Sequence, residues 1–300
     1  MYRFIVLPIV SALIFTGCSP ASPTGTPFGS AQDKPDSVVL ASTTFLADIT
    51  RNIAGDRITV ESLLPIGADP HSYQPTPRDA ARIADSKLLI VNGVDYEHFL
   101  DPLLENAGGE REVVEASAGL PIRAEEPNPH LWLDPNFVIT YVENIRKGLT
   151  HLNPDGINFY QSNADAYVAQ LKDLDGWIIE QVSQIPVEKR LLVTNHEALE
   201  YFSARYGFTL IGAIVPSVST GASPSAGQMA DLIDQIKSSG APAIFLDEVE
   251  NSSLAQQIAD ETGIRVVTDL HLESLTDGPP AATYIDMMKY NVSLIVEALK

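Results

Sequence analysis

From residue 38 onward, short apolar runs alternate with stretches whose apolar residues recur every three to four positions. The runs are brief and rich in Val, Ile and Leu, as the buried strands of a parallel sheet require. They predict strands at 38–41, 58–63, 87–91, 112–115, 190–194, 209–213, 243–246 and 265–268. The stretches between them carry the helical period. Phe45, Leu46, Ile49 and Ile53 define one helix that Gly55 stops, and others are predicted over 78–84, 198–206, 227–238 and 254–262. Strand followed by helix, repeated along the chain, predicts α/β layers with mostly parallel sheets flanked by helices.

Residues 154–187 break this rhythm. They contain no strand signal, and Phe159, Tyr160, Tyr167, Leu171, Leu174, Trp177, Ile178 and Val182 fall at helical spacing. Asn153 is placed to cap the first free amides, Pro154 suits a first helical turn, and Ile185-Pro186 ends the pattern. At 1.5 Å per residue a helix of roughly 30 residues here is about 45 Å long, more than one α/β layer needs. The expected organisation is therefore an N-terminal lobe at 38–153, a linking helix at 154–187 and a C-terminal lobe at 188–300.

The first 37 residues read differently. A positive start at Arg3 precedes an apolar run from Phe4 to Phe15, too short to span a bilayer, and Thr16-Gly17-Cys18 closes it with small residues. This predicts a signal peptide at 1–17, and its ending resembles a bacterial lipobox with Cys18 as the lipidated first mature residue. Residues 19–37, SPASPTGTPFGSAQDKPDS, are too poor in large apolar residues to bury a core and form a flexible tether behind Cys18. A single cysteine excludes an internal disulfide and a thiolate-rich zinc site. The balance of 19 Lys+Arg against 39 Asp+Glu, a net charge of −20 with no basic run, excludes a nucleic-acid partner.

Four passages put a metal-ligating side chain in a polar loop beyond a strand, where open α/β sheets place their binding residues. His71 lies in DPHSYQPTP among three prolines that stiffen its loop, and His130 lies in NPHLWLDP, where Trp132 and Leu133 can shield it from water. His196 follows the apolar strand ending in Thr194-Asn195, and Asp269 is expected at the end of the strand Val266-Val267-Thr268. Each signal is weak alone. Together, three neutral imidazoles and one carboxylate suit a borderline-soft divalent cation. Asp247 also ends an apolar strand and rivals Asp269, and His271 is a spare ligand or outer partner. Asn195 and Glu197 are placed to orient His196. His98 and His151 read as surface or capping residues.

The phrases DPHSYQPTP, NPHLWLDP, TNHEAL and TDLHLESLTDGPPAATYIDMMKYN, with the lipobox and the long central helix, resemble the cluster A-I solute-binding lipoproteins of zinc/manganese ABC importers. The resemblance covers the chain from Val38 to Lys300. It implies two α/β lobes joined by one rigid helix, an ion held between them by His71, His130, His196 and Asp269, and no enzymatic activity. It also implies a monomer, tied to the bacterial cell envelope only through its lipid, that hands the ion to an ABC permease in the cytoplasmic membrane.

Two departures from the family pattern bear on the ion. The segment Arg123-Ala124-Glu125-Glu126-Pro127 lacks the histidines that zinc importers often carry there, whereas His196 stands where manganese binders frequently have Glu. Three nitrogens and one carboxylate favour Zn2+ over Mn2+. Two other classes use such a donor set: a lipid-anchored zinc metallohydrolase and an envelope adhesion protein with a structural metal. Against the first, His196-Glu197-Ala198-Leu199-Glu200 begins like the His-Glu-x-x-His motif but lacks its second histidine.

Overall fold

The computed structural model describes residues 38–122, 127–248, 250 and 252–300. The expected signal peptide, Cys18 and its tether, and the histidine-free segment at 123–126 lie outside the described residues. Among the described residues, no helix is long and apolar enough to cross a membrane.

The alternation in the sequence resolves into two copies of one winding. In the first lobe each strand is followed by a helix: β1 (Val38–Ala41) by α1 (Thr44–Ala54), β2 (Thr59–Ser62) by α2 (Pro77–Asp85), β3 (Leu88–Val91) by α3 (Asp101–Asn106), and β4 (Glu112–Glu115) by α4 (Pro135–Leu152). In the second, β5 (Leu191–Thr194) leads to α6 (Glu200–Tyr206), β6 (Thr209–Ala213) to α7 (Ala226–Ser239), β7 (Ala243–Asp247) to α8 (Ser253–Thr262), and β8 (Arg265–Leu270) to α9 (Tyr284–Leu299). All pairings are parallel, and the sheet orders β2-β1-β3-β4 and β6-β5-β7-β8 repeat the same crossover pattern. The winding reverses between β1 and β3 in one sheet and between β5 and β7 in the other, and crevices form beyond the carboxyl ends of strands at such points.

Between the lobes runs α5 (Ile157–Val182), introduced by a 3₁₀ turn over Pro154–Gly156. Its 26 residues make a helix about 39 Å long, somewhat shorter than the sequence predicts. Tyr160, Ala164, Tyr167, Leu171, Leu174, Ile178 and Val182 form its buried stripe, which packs on α4, α1 and α9. Burying each large apolar side chain of that stripe contributes about 1.5–3 kcal/mol, which fixes the helix as a spine rather than a surface element. The apolar core is continuous past it, from Val39 and Phe45 through Trp132 to Phe245 and Tyr284.

The helix starts follow local chemistry. Thr76 accepts from the Asp79 N–H while Asp79 accepts from the Thr76 N–H, with Pro77 in the first turn of α2, and Asp134 caps α4 in front of Pro135. These caps fix the ends of the two loops that carry His71 and His130.

Candidate metal centre

Each loop is held by its own polar side chains. The His71 N–H donates to Asp69 Oδ1 at 2.9 Å, and Asp69 Oδ2 accepts from Ser72 Oγ at 2.9 Å and, from the other lobe, Thr220 Oγ1 at 2.7 Å. Asn128 Oδ1 accepts from the His130 N–H at 3.0 Å and lies 2.8 Å from His130 Nδ1, so Nε2 is the free ring nitrogen. Asn128 Nδ2 in turn donates to the Glu197 carbonyl at 2.7 Å. Trp132 seals the floor, with its ring centroid 4.6 Å from Phe45 and 5.1 Å from His130, and its indole N–H donates to the Leu272 carbonyl at 2.8 Å. The shield expected of Trp132 is present.

These loops bring His71, His130 and His196 together with Glu273, their donor atoms all within 4.8 Å of one another. Glu273 Oε1 lies 3.0 Å from His71 Nε2, 3.2 Å from His130 Nε2 and 3.1 Å from His196 Nε2, and the last two nitrogens are 3.2 Å apart. Tetrahedral ligands about 2.0–2.1 Å from zinc stand about 3.3–3.4 Å from each other, so these four separations are within a few tenths of an ångström of that spacing. The side chains of His71, His130, His196 and Glu273 are 3%, 0%, 1% and 1% exposed. Glu273 Oε2 is buried and has no hydrogen-bond partner among the described residues. A carboxylate oxygen left bare in the interior is costly unless a cation completes its shell.

Electrostatics in this pocket are strongly coupled. Burial pushes the His130 imidazole down to about 3, and the neighbouring His196 and His71 add to the effect against Glu273. Burial also acts against charge on His196, but the Glu250 and Glu273 carboxylates on its two nitrogens raise it to about 10. Burial alone would raise Glu273; the three histidines, His71 foremost, hold it well below the usual carboxylate range.

The carboxylate beside the imidazoles is thus Glu273 and not Asp269. Strand β8 extends to Leu270, two residues beyond its expected end, so Asp269 sits inside an edge strand and is exposed. The chain then turns inward through His271-Leu272-Glu273. Asp247, the rival, is a buried brace: its carboxylate accepts from the Leu272 N–H and so holds the turn that presents Glu273. His271 is buried away from the donor set, its Nδ1 2.6 Å from Glu248 Oε2. His98 and His151 are exposed, as expected. Asn195 reaches His196 only through Glu250, which accepts from both, and the Glu197 N–H donates to the Ser217 carbonyl. The sequence offered one signal for Glu273, an acid between Leu272 and Leu275 just past a strand. Nothing local marked Glu250.

A second buried acid supports the floor. Glu97 accepts from Ser42 Oγ at 2.7 Å, the Asn92 N–H at 2.6 Å and the Gly93 N–H at 3.2 Å. It thereby holds a turn in which Gly93, Val94 and Asp95 have φ of 89°, 57° and 55°, a conformation that Val in particular resists. Burial raises its carboxyl from 4.5 to about 7 in spite of these bonds. Between those values the folded chain keeps a proton that the unfolded chain loses, so this contribution is complete below about pH 4.5 and lost as pH rises through about 7. Urea titrations of metal-stripped protein at about pH 5 and pH 8 should show wild type losing about 2.5 kcal/mol more than Glu97→Gln over that interval. Equal losses would remove Glu97 as the cause.

A two-lobed α/β protein with four buried metal-donor side chains, two from each lobe, defines a solute-binding protein of the metal-ion type. Residues 39–298 match the family described as zinc-uptake complex component A, periplasmic, and the chain belongs to that family. A manganese-binding lipoprotein of Halalkalibacterium halodurans is 35% identical, covering 99% of this chain and 98% of its own length. An iron-binding protein of Yersinia pestis is 34% identical, covering 86% of this chain and 85% of its own. Among solved structures, the manganese-bound periplasmic metal-binding protein of Candidatus Liberibacter asiaticus superposes with a TM-score of 0.79 at 30% identity, covering 88% of this chain and 100% of that one. The periplasmic zinc-binding protein of Treponema pallidum gives 0.82 at 28% identity, covering 88% and 99%.

Proposed function

We propose that this protein captures a divalent transition-metal ion outside the cytoplasm, with zinc preferred over manganese, and delivers it to an ABC-type permease while anchored through a lipid on Cys18. The observation that carries the reading is the buried convergence of three imidazole Nε2 atoms on a carboxylate whose second oxygen is bare. Three nitrogens and one oxygen suit zinc better than manganese, which favours oxygen donors. Relatives named for manganese, iron and zinc support the ion class. The fourth protein donor takes the position that a hydrolytic zinc leaves to water.

Scavenging at nanomolar metal needs about −12 kcal/mol, within the range of about 10–16 kcal/mol that protein zinc sites supply. Release follows from the division of the donors. His71 and His130 belong to the first lobe and His196 and Glu273 to the second, so parting the lobes halves the shell. The ties to be loosened near the donors include Thr220 Oγ1 to Asp69, the Gly67 N–H to Ser274 Oγ, Asn128 Nδ2 to the Glu197 carbonyl and the Trp132 indole N–H to the Leu272 carbonyl. Docking on the permease supplies the opening force.

Metal analysis of protein purified without added ions, followed by competitive titrations against a chelator, tests the reading. One zinc per chain, bound reversibly by a chain that stays folded when stripped, and at least about tenfold tighter than manganese, is expected. Tighter manganese would reverse the preference; no reversible binding would end the reading.

A further inference from the structure

Behind His196, on the side away from the donor cluster, stands a buried carboxylate. Glu250 Oε1 is 2.6 Å from His196 Nδ1, and the Glu250 side chain is 2% exposed. It is itself held: Asn195 Nδ2 donates to Oε1 at 2.7 Å, and the Asp247 N–H donates to Oε2 at 2.7 Å. A carboxylate on Nδ1 requires that nitrogen to carry the proton, which directs Nε2 at the donor cluster, where it lies 3.1 Å from Glu273 Oε1. His130 is oriented differently, its Nδ1 resting on the uncharged amide oxygen of Asn128.

The difference matters for charge. Three neutral imidazoles and Glu273 offer a divalent ion a single negative charge, and in a pocket sealed from water the unbalanced positive charge is costly. Glu250, one imidazole ring away, supplies the second. Resting on the metal-binding reading above, we propose that Glu250 is a positioning residue that fixes His196 as the Nδ1–H tautomer and completes the neutralisation of the bound cation from outside the ligand shell. A site with histidine in its third position then carries the same total charge as one with a second ligating carboxylate.

The test uses the full chain and Zn2+ alone. Glu250→Gln should weaken zinc, measured by chelator competition, by about 10–100-fold while keeping one ion per chain. A purely structural role would not set a tautomer, so nitrogen NMR of histidine-labelled wild-type protein loaded with Zn2+ supplies the independent readout: His196 should be protonated at Nδ1 and bound through Nε2. This measurement decides the matter even where the Gln variant fails to fold. Unchanged affinity in Glu250→Gln alongside loss in Glu273→Gln overturns the role of Glu250 and leaves the metal site standing. Ligation of His196 through Nδ1 overturns it as well. A wild-type chain that takes up no zinc brings down both readings.

Discussion

Glu273→Gln should weaken zinc binding by roughly a hundredfold to several thousandfold, whereas Asp269→Asn should leave it within about twofold. The asymmetry follows from burial. Glu273 is 1% exposed and its Oε1 is within 3.2 Å of Nε2 of all three histidines, whereas Asp269 lies exposed on an edge strand. Removing one charged partner from a buried ionic cluster costs about 3–5 kcal/mol, and each 1.4 kcal/mol is tenfold in affinity. The amide of Gln keeps the volume of the side chain, so the loss reports charge and donor strength rather than a cavity. Chelator competition on both variants checks it. Weakening by the Asp269 change with none from Glu273 would reverse the assignment.

Zinc binding should release about one proton per ion at about pH 8, where an ordinary imidazole has none left to release. In the metal-free protein His196 is raised to about 10, its two nitrogens facing Glu250 and Glu273. Zinc must displace the proton on Nε2. The proton belongs to the free state, so raising pH removes a competitor: affinity should climb about tenfold per pH unit through neutrality and level off above about pH 10. His130, pushed down to about 3, adds no slope in that range. Falling from pH 8 to pH 7 should cost at least about tenfold, or about 1.4 kcal/mol. Calorimetry in buffers of different ionisation enthalpy counts the protons, and a count near zero at pH 8 would show that His196 is neutral before the metal arrives.

Much of the architecture was legible because it is locally encoded. The eight apolar runs became eight strands, and the residues predicted to line the long helix form the buried stripe of α5, with Phe159 and Trp177 packed at its edge. The loops of His71 and His130 were marked by prolines and by Asp or Asn side chains that hydrogen-bond within two or three residues, interactions a sequence displays directly.

The fourth donor was not legible in this way. Whether an acid at the end of β8 faces the metal or the solvent turns on where the strand stops, and strand ends are the least determined feature of a local pattern. Two further residues of strand exposed Asp269 and carried the chain on to Glu273. Pairing then settled the rest: Asp247 at the end of β7 fixes the backbone after β8 through the Leu272 N–H, and Glu250, three residues further on, reaches His196 across the crevice. By itself the sequence determined the elements, the spine and three imidazoles beyond strands, two of them on proline-stiffened loops, because periodicity and turn chemistry act over a few residues. Only the tertiary structure decided which carboxylates meet those imidazoles, because that depends on sheet order and on contacts between segments 54 to 202 residues apart.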